Sequence, residues 1–533
     1  MKVLSLLVVL VFPIAQGSWA KTVVVGGAGG ALSYPNAQTS LGISAGDTIV
    51  IQPGSYTGFD FGNLRGTALD KIVITNGKGL VEISNPCASC SSDLNNAVNV
   101  VFTGFGDSGI EYGFSFHDIG YRALQLDGHM DSTTISHCRF ENVVDNAIQM
   151  NNASMVYDGT PGTLIAGMKF LHLYAKNTGT TIDWGNYAGA ADQMGVGRDI
   201  EIAYDTVDSC QGGQAFRLNK VYDANVHHNT ITNMGLGLTT SHPGIVFLRG
   251  DGKIHHNYVR NVWGVCARGF GSGLNGTGEL DVYDNIFLSS RKYSAVEAQT
   301  FSADISTDTT SIPWVGICNY LVYNNTMGNQ SAADFTAAMV DVYTLVGGKC
   351  EIRNNLGFNI AKDKPYDPTV NYVYNLESPN PPDTSNNIYR PNFVDEGLVD
   401  TVDCFLRPGS IAIDHGATLP LVTDDFAGVP RPQGAAPDVG AREYDLTAAV
   451  QSRPLSRGAR LTMDPDHRSL LVRSDFPIRS VSVWSPTGHR ASTNTSTGGD
   501  LELHIPLDGL DPGTYVAIIH GSDRVESRTF VRF

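Results

Sequence analysis

Short runs of alternating apolar and polar residues fill the chain from residue 22 to about 360, and one run keeps returning with asparagine in the same place. Val226-His-His-Asn229-Thr-Ile231 is followed by Ile254-His-His-Asn257-Tyr-Val259, Val282-Tyr-Asp-Asn285-Ile-Phe287, Val322-Tyr-Asn-Asn325-Thr-Met327 and Ile352-Arg-Asn-Asn355-Leu-Gly357. The intervals are 28, 28, 40 and 30 residues. Self-similarity at such a period marks a stacked repeat. Strand-like phrases ending in Asn predict a solenoid of parallel strands whose side-chain amides hydrogen-bond up the axis. The phrase can be traced upstream to Ile202-Ala-Tyr-Asp205 and, with the Asn replaced, to Ile165-Ala-Gly-Met168 and Ile135-Ser-His-Cys138. The column is therefore expected to be polar in its C-terminal half and apolar before it. About a dozen coils would fill residues 22–400. Larger loops are expected near 152–163, 178–198, 300–313 and 361–400.

A second strand family precedes each phrase: Ala123-Leu-Gln-Leu-Asp127, Ala147-Ile-Gln-Met-Asn151, Ala215-Phe-Arg-Leu-Asn219, Ile245-Val-Phe-Leu-Arg249, Val265-Cys-Ala-Arg-Gly269 and Ala295-Val-Glu-Ala-Gln299. Alternation assigns the faces. Leu124/Leu126, Ile148/Met150, Phe216/Leu218, Val246/Leu248 and Val296/Ala298 point inward. Gln125/Asp127, Gln149/Asn151, Arg217/Asn219, Phe247/Arg249 and Glu297/Gln299 share one outward sheet. Arg268 breaks the pattern, and a slip of one residue would bring it outward beside Arg249.

Composition fits this architecture, with 58 Gly and only 17% charged residues. The net charge of −17 argues against a nucleic-acid partner. Residues 1–20 read as a signal peptide: Lys2, an apolar run from Leu4 to Ile14, then Ser18-Trp19-Ala20. That run is too short to span a bilayer. An exported, soluble, monomeric protein is expected, extracellular or at the cell surface. Of eight cysteines, Cys87 and Cys90 are expected to form a local disulfide, and Cys318 and Cys350 could pair. The others read as small buried hydrophobes. Residues 401–445 look like a segment closing the open end of the solenoid, and 446–457 like a linker. The stretch 458–533 changes character, with ten Arg and no Lys beyond 446, and its alternating runs predict a small antiparallel sandwich.

Two resemblances follow from these phrases. Val481-Ser-Val-Trp-Ser-Pro-Thr-Gly, Leu507-Asp-Gly-Leu-Asp-Pro-Gly-Thr-Tyr-Val and the terminal Arg528-Thr-Phe-Val-Arg-Phe resemble the C-terminal sorting domain of Bacteroidetes type IX secretion cargo. That resemblance implies an export address read by the type IX machinery. Residues 21–445, with the closing Asp424-to-Glu443 segment, are similar to the right-handed parallel β-helix proteins of the pectate-lyase-like superfamily. The fold class implied is all-β, a right-handed parallel β-helix followed by a small antiparallel β-sandwich. Function is implied weakly, because that superfamily holds lyases, hydrolases, esterases and non-catalytic adhesins.

Candidate chemistry sits on the outward sheet, where Arg217, Lys220, Arg249, Lys253 and Arg268 gather positive charge on an acidic body. Such a stripe suits an acidic polysaccharide. A lyase acting on a uronan must neutralise the uronate carboxylate, by Arg or by Ca²⁺, and remove the C5 proton. Arg249 or Arg217 is expected as the carboxylate clamp, Lys220 as the base and Arg268 in reserve. Gln149, Asn151 and Asn219 would bind sugar hydroxyls, and Phe247 would stack on a sugar ring. His242 reads either as an acid/base or as a plain loop residue. The alternative for the cations is structural pairing with Asp223, Asp251 or Glu297. A glycoside hydrolase would need two carboxylates, and Glu297 with Asp127 or Asp251 look too far apart. His227/His228 and His255/His256 are expected to stack between coils, with packing favoured over metal binding. The polygalacturonase-like Asn-Thr-Asp, Gly-His-Gly and Arg-Ile-Lys set is absent, as are the Lys and Arg motifs of alginate and dermatan lyases. The readings are an exported polysaccharide lyase, a non-catalytic adhesin or glycan-binding scaffold, and a hydrolase.

Overall fold

The computed structural model describes residues 20–444 except 28, 152–154, 186–194, 239–241, 275, 301–313, 316, 331–338, 343–347, 361–387, 392–403 and 407–408, and in the tail the strands between 460 and 532. The signal-peptide and linker readings, and most of the predicted loop residues, lie outside the described residues. The chain divides into two compact units, residues 1–444 and 445–533.

One coil shows the plan of the first unit. Leu124–Asp127 forms a strand of sheet 1, Thr134–Ser136 of sheet 2 and Cys138–Val143 of sheet 3, and Ile148–Asn151 returns to sheet 1. Each strand pairs in parallel with its counterpart one coil on: Leu124 with Ile148, Thr134 with Lys169, Phe140 with Ala175. Repetition of this unit makes a right-handed parallel β-helix, the hand that parallel crossovers favour. In two coils the sheet 1 strand runs on into sheet 2, as Phe216–His227 and Gly244–His255. The inward positions predicted from alternation are all buried in one continuous core. Removing that apolar surface from water, at about 25 cal/mol per Å², is the main force holding the coils closed.

The corner between sheets 2 and 3 explains the repeated phrase. His137, His172, Tyr204, His228, His256, Asp284, Asn324 and Asn354 all adopt left-handed φ between 49° and 61°. Asn, Asp and His tolerate that region better than most residues. The bend turns the next side chain into the solenoid. Asn229 Nδ2 donates to Asn257 Oδ1 (2.9 Å), Asn257 Nδ2 to Asn285 Oδ1 (3.0 Å), Asn285 Nδ2 to Asn325 Oδ1 (2.9 Å) and Asn325 Nδ2 to Asn355 Oδ1 (3.0 Å). Each amide also serves backbone groups, such as Asn257 Nδ2 to Val226 O at 2.9 Å. Upstream the position is Asp205, then Leu173 and Cys138, so it turns apolar as expected. Leu173 corrects the assignment of Met168: Phe170 pairs with Ile135, which puts Leu173 level with Cys138. The intervening Gly167 takes φ +72° in a turn that the phrase Ile165-Ala-Gly-Met168 hid.

Outside the same corner, rings stack from coil to coil. His137–His172, His172–Tyr204, Tyr204–His228 and His228–His256 lie 4.9–5.2 Å apart, with His227–His255–Tyr283 stacked beside them. Burial, then the neighbouring imidazoles, push His228 down to about 4 and His255 to about 2. A histidine with a depressed folded pKa holds fewer protons than the unfolded chain, so its contribution to stability falls as pH drops below about 6.5. Asp251 (about 6) and Asp281 (about 7) are raised, chiefly by burial, and act with the opposite sign. The expected result is therefore a difference. Between pH 6.5 and 4.5, the thermal midpoint of His255→Gln should fall less steeply than that of the parent chain. Parallel slopes in calorimetry would contradict this.

Residues 404–444 correct a second expectation. They do not simply cap the open end but lie along the outer side of the coils. Cys404, Leu406, Ala412, Val439 and Ala441 pack on Ile286, Leu288, Leu356 and Phe358, while Leu419 and Val422 pack on Tyr283, Leu321 and Tyr323. Arg431 is buried between two buried carboxylates, with Nη2 2.9 Å from Asp284 Oδ1 and Nη1 2.6 Å from Glu443 Oε1. The apolar outward residues of these late coils are the reason: they need a cover, and this segment supplies it.

The second unit has two antiparallel sheets, of three and four strands, sharing a core that includes Leu470, Val472, Val481, Val483, Ile505 and Ile519. Cys87 and Cys90 form a disulfide. Cys318 and Cys350 are free. Both lie near adjoining strands, but Cys350 pairs in register with Tyr320, two residues beyond Cys318.

Candidate functional site

Sheet 1 presents one outward column through successive coils. Gln125, Gln149, Asp183, Arg217, Phe247, Arg268, Glu297 and Asp341 stand in register. With a strand spacing of about 4.8 Å, Arg217 and Arg268 are roughly 10 Å apart at the backbone, separated by Phe247. Two charge groups result, one on each side of that phenylalanine.

The first is Asp183 with Arg217. Arg217 Nε donates to Asp183 Oδ1 at 2.6 Å, and Nη2 donates to Oδ2, a bidentate fork. Asp183 is buried, and burial holds its carboxyl above the usual range although Arg217 pulls against it. Asn146 Nδ2 adds a 3.1 Å hydrogen bond to Asp183 Oδ2. The Arg217 side chain keeps 29% of its surface open.

The second group is built on Glu297. Arg268 Nε donates to its Oε1 at 2.7 Å, and Arg268 Nη1 donates to His242 O at 2.6 Å. His242 Nε2 lies 2.7 Å from Glu297 Oε2, poorly aligned for a hydrogen bond. Burial works to raise the Glu297 pKa. His242 and Arg268 outweigh it, and the carboxylate lies below its ordinary value. The His242 ring stacks on Tyr293 with centroids 3.6 Å apart. Arg268 is 16% open and His242 35% open, so both reach solvent from an anchored base.

Several expected residues stand elsewhere. The one-residue slip does occur and brings Arg268 outward, but beside Phe247 and not Arg249; Arg249 faces Phe270 and Asn219. Phe247 is only 2% exposed and packs against Phe270, so its face is closed to a sugar ring in this conformation. Lys220 is 3% exposed at φ 63°, where the long strand bends from sheet 1 to sheet 2 and alternation fails. Lys253 is on sheet 2, opposite Asn225 and Asp281, and is not part of this stripe. Gln149 is buried, its amide bonded to Asn146, Met150 O and Asp183 O. Asn219 is buried and accepts a long 3.4 Å bond from Arg249. Asn151 stays partly open, opposite Asp127. Asp251 lies beyond the same bend as Lys220, away from Glu297. Asp183 was missed in the sequence because Thr181-Ile-Asp-Trp184 is short and follows an irregular stretch, although its alternation is the same.

Among the described residues no group of three or more His, Cys, Asp or Glu is arranged to hold a metal ion. No helix among them is long and apolar enough to cross a membrane.

No model of a known protein family matches the chain, and no curated protein does. Among solved structures it is similar to the tailspike protein gp49 of Acinetobacter baumannii bacteriophage Fri1, a capsular polysaccharide depolymerase, at 9% identity and a TM-score of 0.31, covering 95% of this chain and 78% of that one. It is similar to the catalytic unit of a GH87 α-1,3-glucanase from Streptomyces thermodiastaticus strain HF3-3 (12% identity, TM-score 0.25, 72% of each chain). It is also similar to a mannuronic acid specific polysaccharide family 6 lyase from human gut microbiota (12% identity, TM-score 0.22, 68% of this chain and 92% of that one). Likeness at this level assigns no residue a role.

Proposed function

We propose that the chain is an exported, carbohydrate-active β-helix protein that holds an acidic polysaccharide across sheet 1 and cleaves it by β-elimination. The supporting observation is the pair of anchored, partly open guanidinium groups on one column, with an imidazole beside one of them. Arg268 would bind the carboxylate of the uronate being cleaved. Its Nη2 makes no bond to Glu297 in this geometry and can face a ligand. His242, held next to Glu297, would take the C5 proton, and Arg217 would hold the carboxylate of a neighbouring sugar. Carboxylate binding by Arg lowers the cost of the enolate that proton removal creates. This reading moves the base from Lys220, which is buried, to His242.

The pairing of Arg217 with Asp183 and of Arg268 with Glu297 also favours a second reading, a scaffold that binds glycan without cleaving it. The two separate readily. Incubation with a panel of uronans should release an unsaturated uronate product, seen as a rise in ultraviolet absorbance. No absorbance change and no new reducing ends, with retention on a uronan column, would leave only the scaffold. Reducing ends without absorbance would indicate a hydrolase.

The tail 458–533, joined through 446–457, is proposed as the type IX export address. Deleting it should keep the protein inside the cell in a host with that machinery.

A further inference from the structure

A second polar column runs up the outside of the solenoid, at the corner where sheet 3 ends. Asn142, Asn177, Asn233 and Asn261 each take φ between 52° and 57° there. Their side chains bond along the axis. Asn142 Nδ2 donates to Asp118 Oδ1 (3.0 Å), Asn177 Nδ2 to Asn142 Oδ1 (2.8 Å) and Gln211 Nε2 to Asn177 Oδ1 (2.7 Å). Further on, Asn233 Nδ2 donates to Asp208 Oδ1 at 2.7 Å and Asn261 Nδ2 to Asn233 Oδ1. The inner asparagine column is sealed in the core, but in this one Asn142 is exposed and Asn177, Asn233 and Asn261 are half-buried. An amide has two N–H donors and an oxygen with two lone pairs. At Asn142, Asn177 and Asn233 the axial bonds use one of each and leave one of each, whereas Asn261 Oδ1 takes both Nε and Nη2 of Arg291 and keeps only an N–H to offer.

Two recesses open onto this strip. One, of about 270 Å³, is lined by Asn142, Val144, Asn177, Thr178 and Gln211. The other, of about 370 Å³, is lined by Thr232, Asn233, Arg260, Asn261 and Ser289. They occupy consecutive coils, so together they span six coils, or roughly 24 Å at the strand spacing. The adjoining column on sheet 3 runs Glu141, Lys176, Asp208, Thr232 and Arg260, with two charges of each sign. Val144 is 74% exposed at the rim of the first recess, an apolar seat for the C–H face of a pyranose.

We propose that this strip binds an extended, neutral β-1,4-linked polysaccharide lying along the solenoid axis. Such a chain advances by close to one coil spacing per sugar. Each ring presents hydroxyls that both donate and accept, matching the donors and acceptors left along the strip. The inference is independent of the reading of sheet 1, which concerns acidic chains and a different face.

The test is retention of the full-length protein on amorphous cellulose, with titration of cellohexaose and chitohexaose in solution. The proposal expects retention of the parent chain. It expects a loss of roughly tenfold or more in affinity for the double variant Asn177→Gly/Asn233→Gly, which keeps the left-handed turns and removes two amides. Val144→Asp, at an exposed site, should weaken binding without touching any turn, and it decides the matter if the double variant does not fold. Arg217→Ala should leave retention unchanged, and the strip variants should leave any uronan cleavage unchanged. Absence of binding to all three probes, or binding unaltered in Val144→Asp, would overturn the proposal.

Discussion

An Arg431→Met protein is expected to lose roughly 3–5 kcal/mol of stability, the usual cost of removing one partner from a buried ion group. Arg431 is buried with Asp284 on one side and Glu443 on the other. It also donates to Asp438 O and Gly440 O. Removing the guanidinium strands two carboxylates without water. Burial already pushes Asp284 well above the ordinary carboxylate range, and Arg431 is what opposes that. The loss should be local first. Residues 419–444 should exchange their amide hydrogens faster, while the column from Asn229 to Asn355 keeps its protection. Replacing Arg431, Asp284 and Glu443 together by apolar residues should recover most of the stability, because no buried charge is left alone. Unchanged exchange in residues 419–444 of the single variant would show that the segment is held by its apolar contacts alone.

The second large effect concerns activity. Arg268→Ala is expected to lower uronan cleavage by about a hundredfold or more, on the scale of losing a charge-stabilising group at the reacting centre. His242→Ala should have an effect of similar size, since proton transfer by a positioned side chain contributes about 10²–10⁴. Arg217→Ala should act differently. It lies two strands away and is proposed to hold a neighbouring sugar, so KM should rise more than kcat falls. Arg268→Lys separates charge from geometry: it keeps the charge but cannot fork between Glu297 and a substrate carboxylate, and it should fall between parent and alanine. Equal activity in Arg268→Ala and the parent chain would remove this residue from the site.

How much of this was legible in the sequence varies with the kind of pattern. The coils were legible because period-two alternation and the recurring Asn both reflect constraints that every coil shares. The left-handed corner favours Asn, Asp or His, and the next position must satisfy buried backbone groups. The inward leucines and isoleucines could be named for the same reason. Met168 was misplaced because a glycine turn imitated the phrase one step early. Lys220, Lys253 and Asp251 were misassigned because two strands run through a bend, and alternation cannot carry across a residue at φ 63°. Arg217 and Arg268 were found on the outward face, but their partner Asp183 was not, because ion pairs between coils depend on register thirty-four residues apart. The segment after residue 404 was recognised as a terminal element. Its position along the side follows from outward-facing apolar residues on the late coils, visible only once the faces are known.

The central claim is that sheet 1 holds an acidic glycan across Phe247, between Arg217 and the Arg268–Glu297–His242 group. The most direct measurement is a crystal structure of an inactive His242→Ala protein soaked with a uronate oligosaccharide. The account predicts sugar density along that column, with carboxylates at Arg217 and Arg268. Density on another face, or carboxylates turned away from both guanidinium groups, would contradict it.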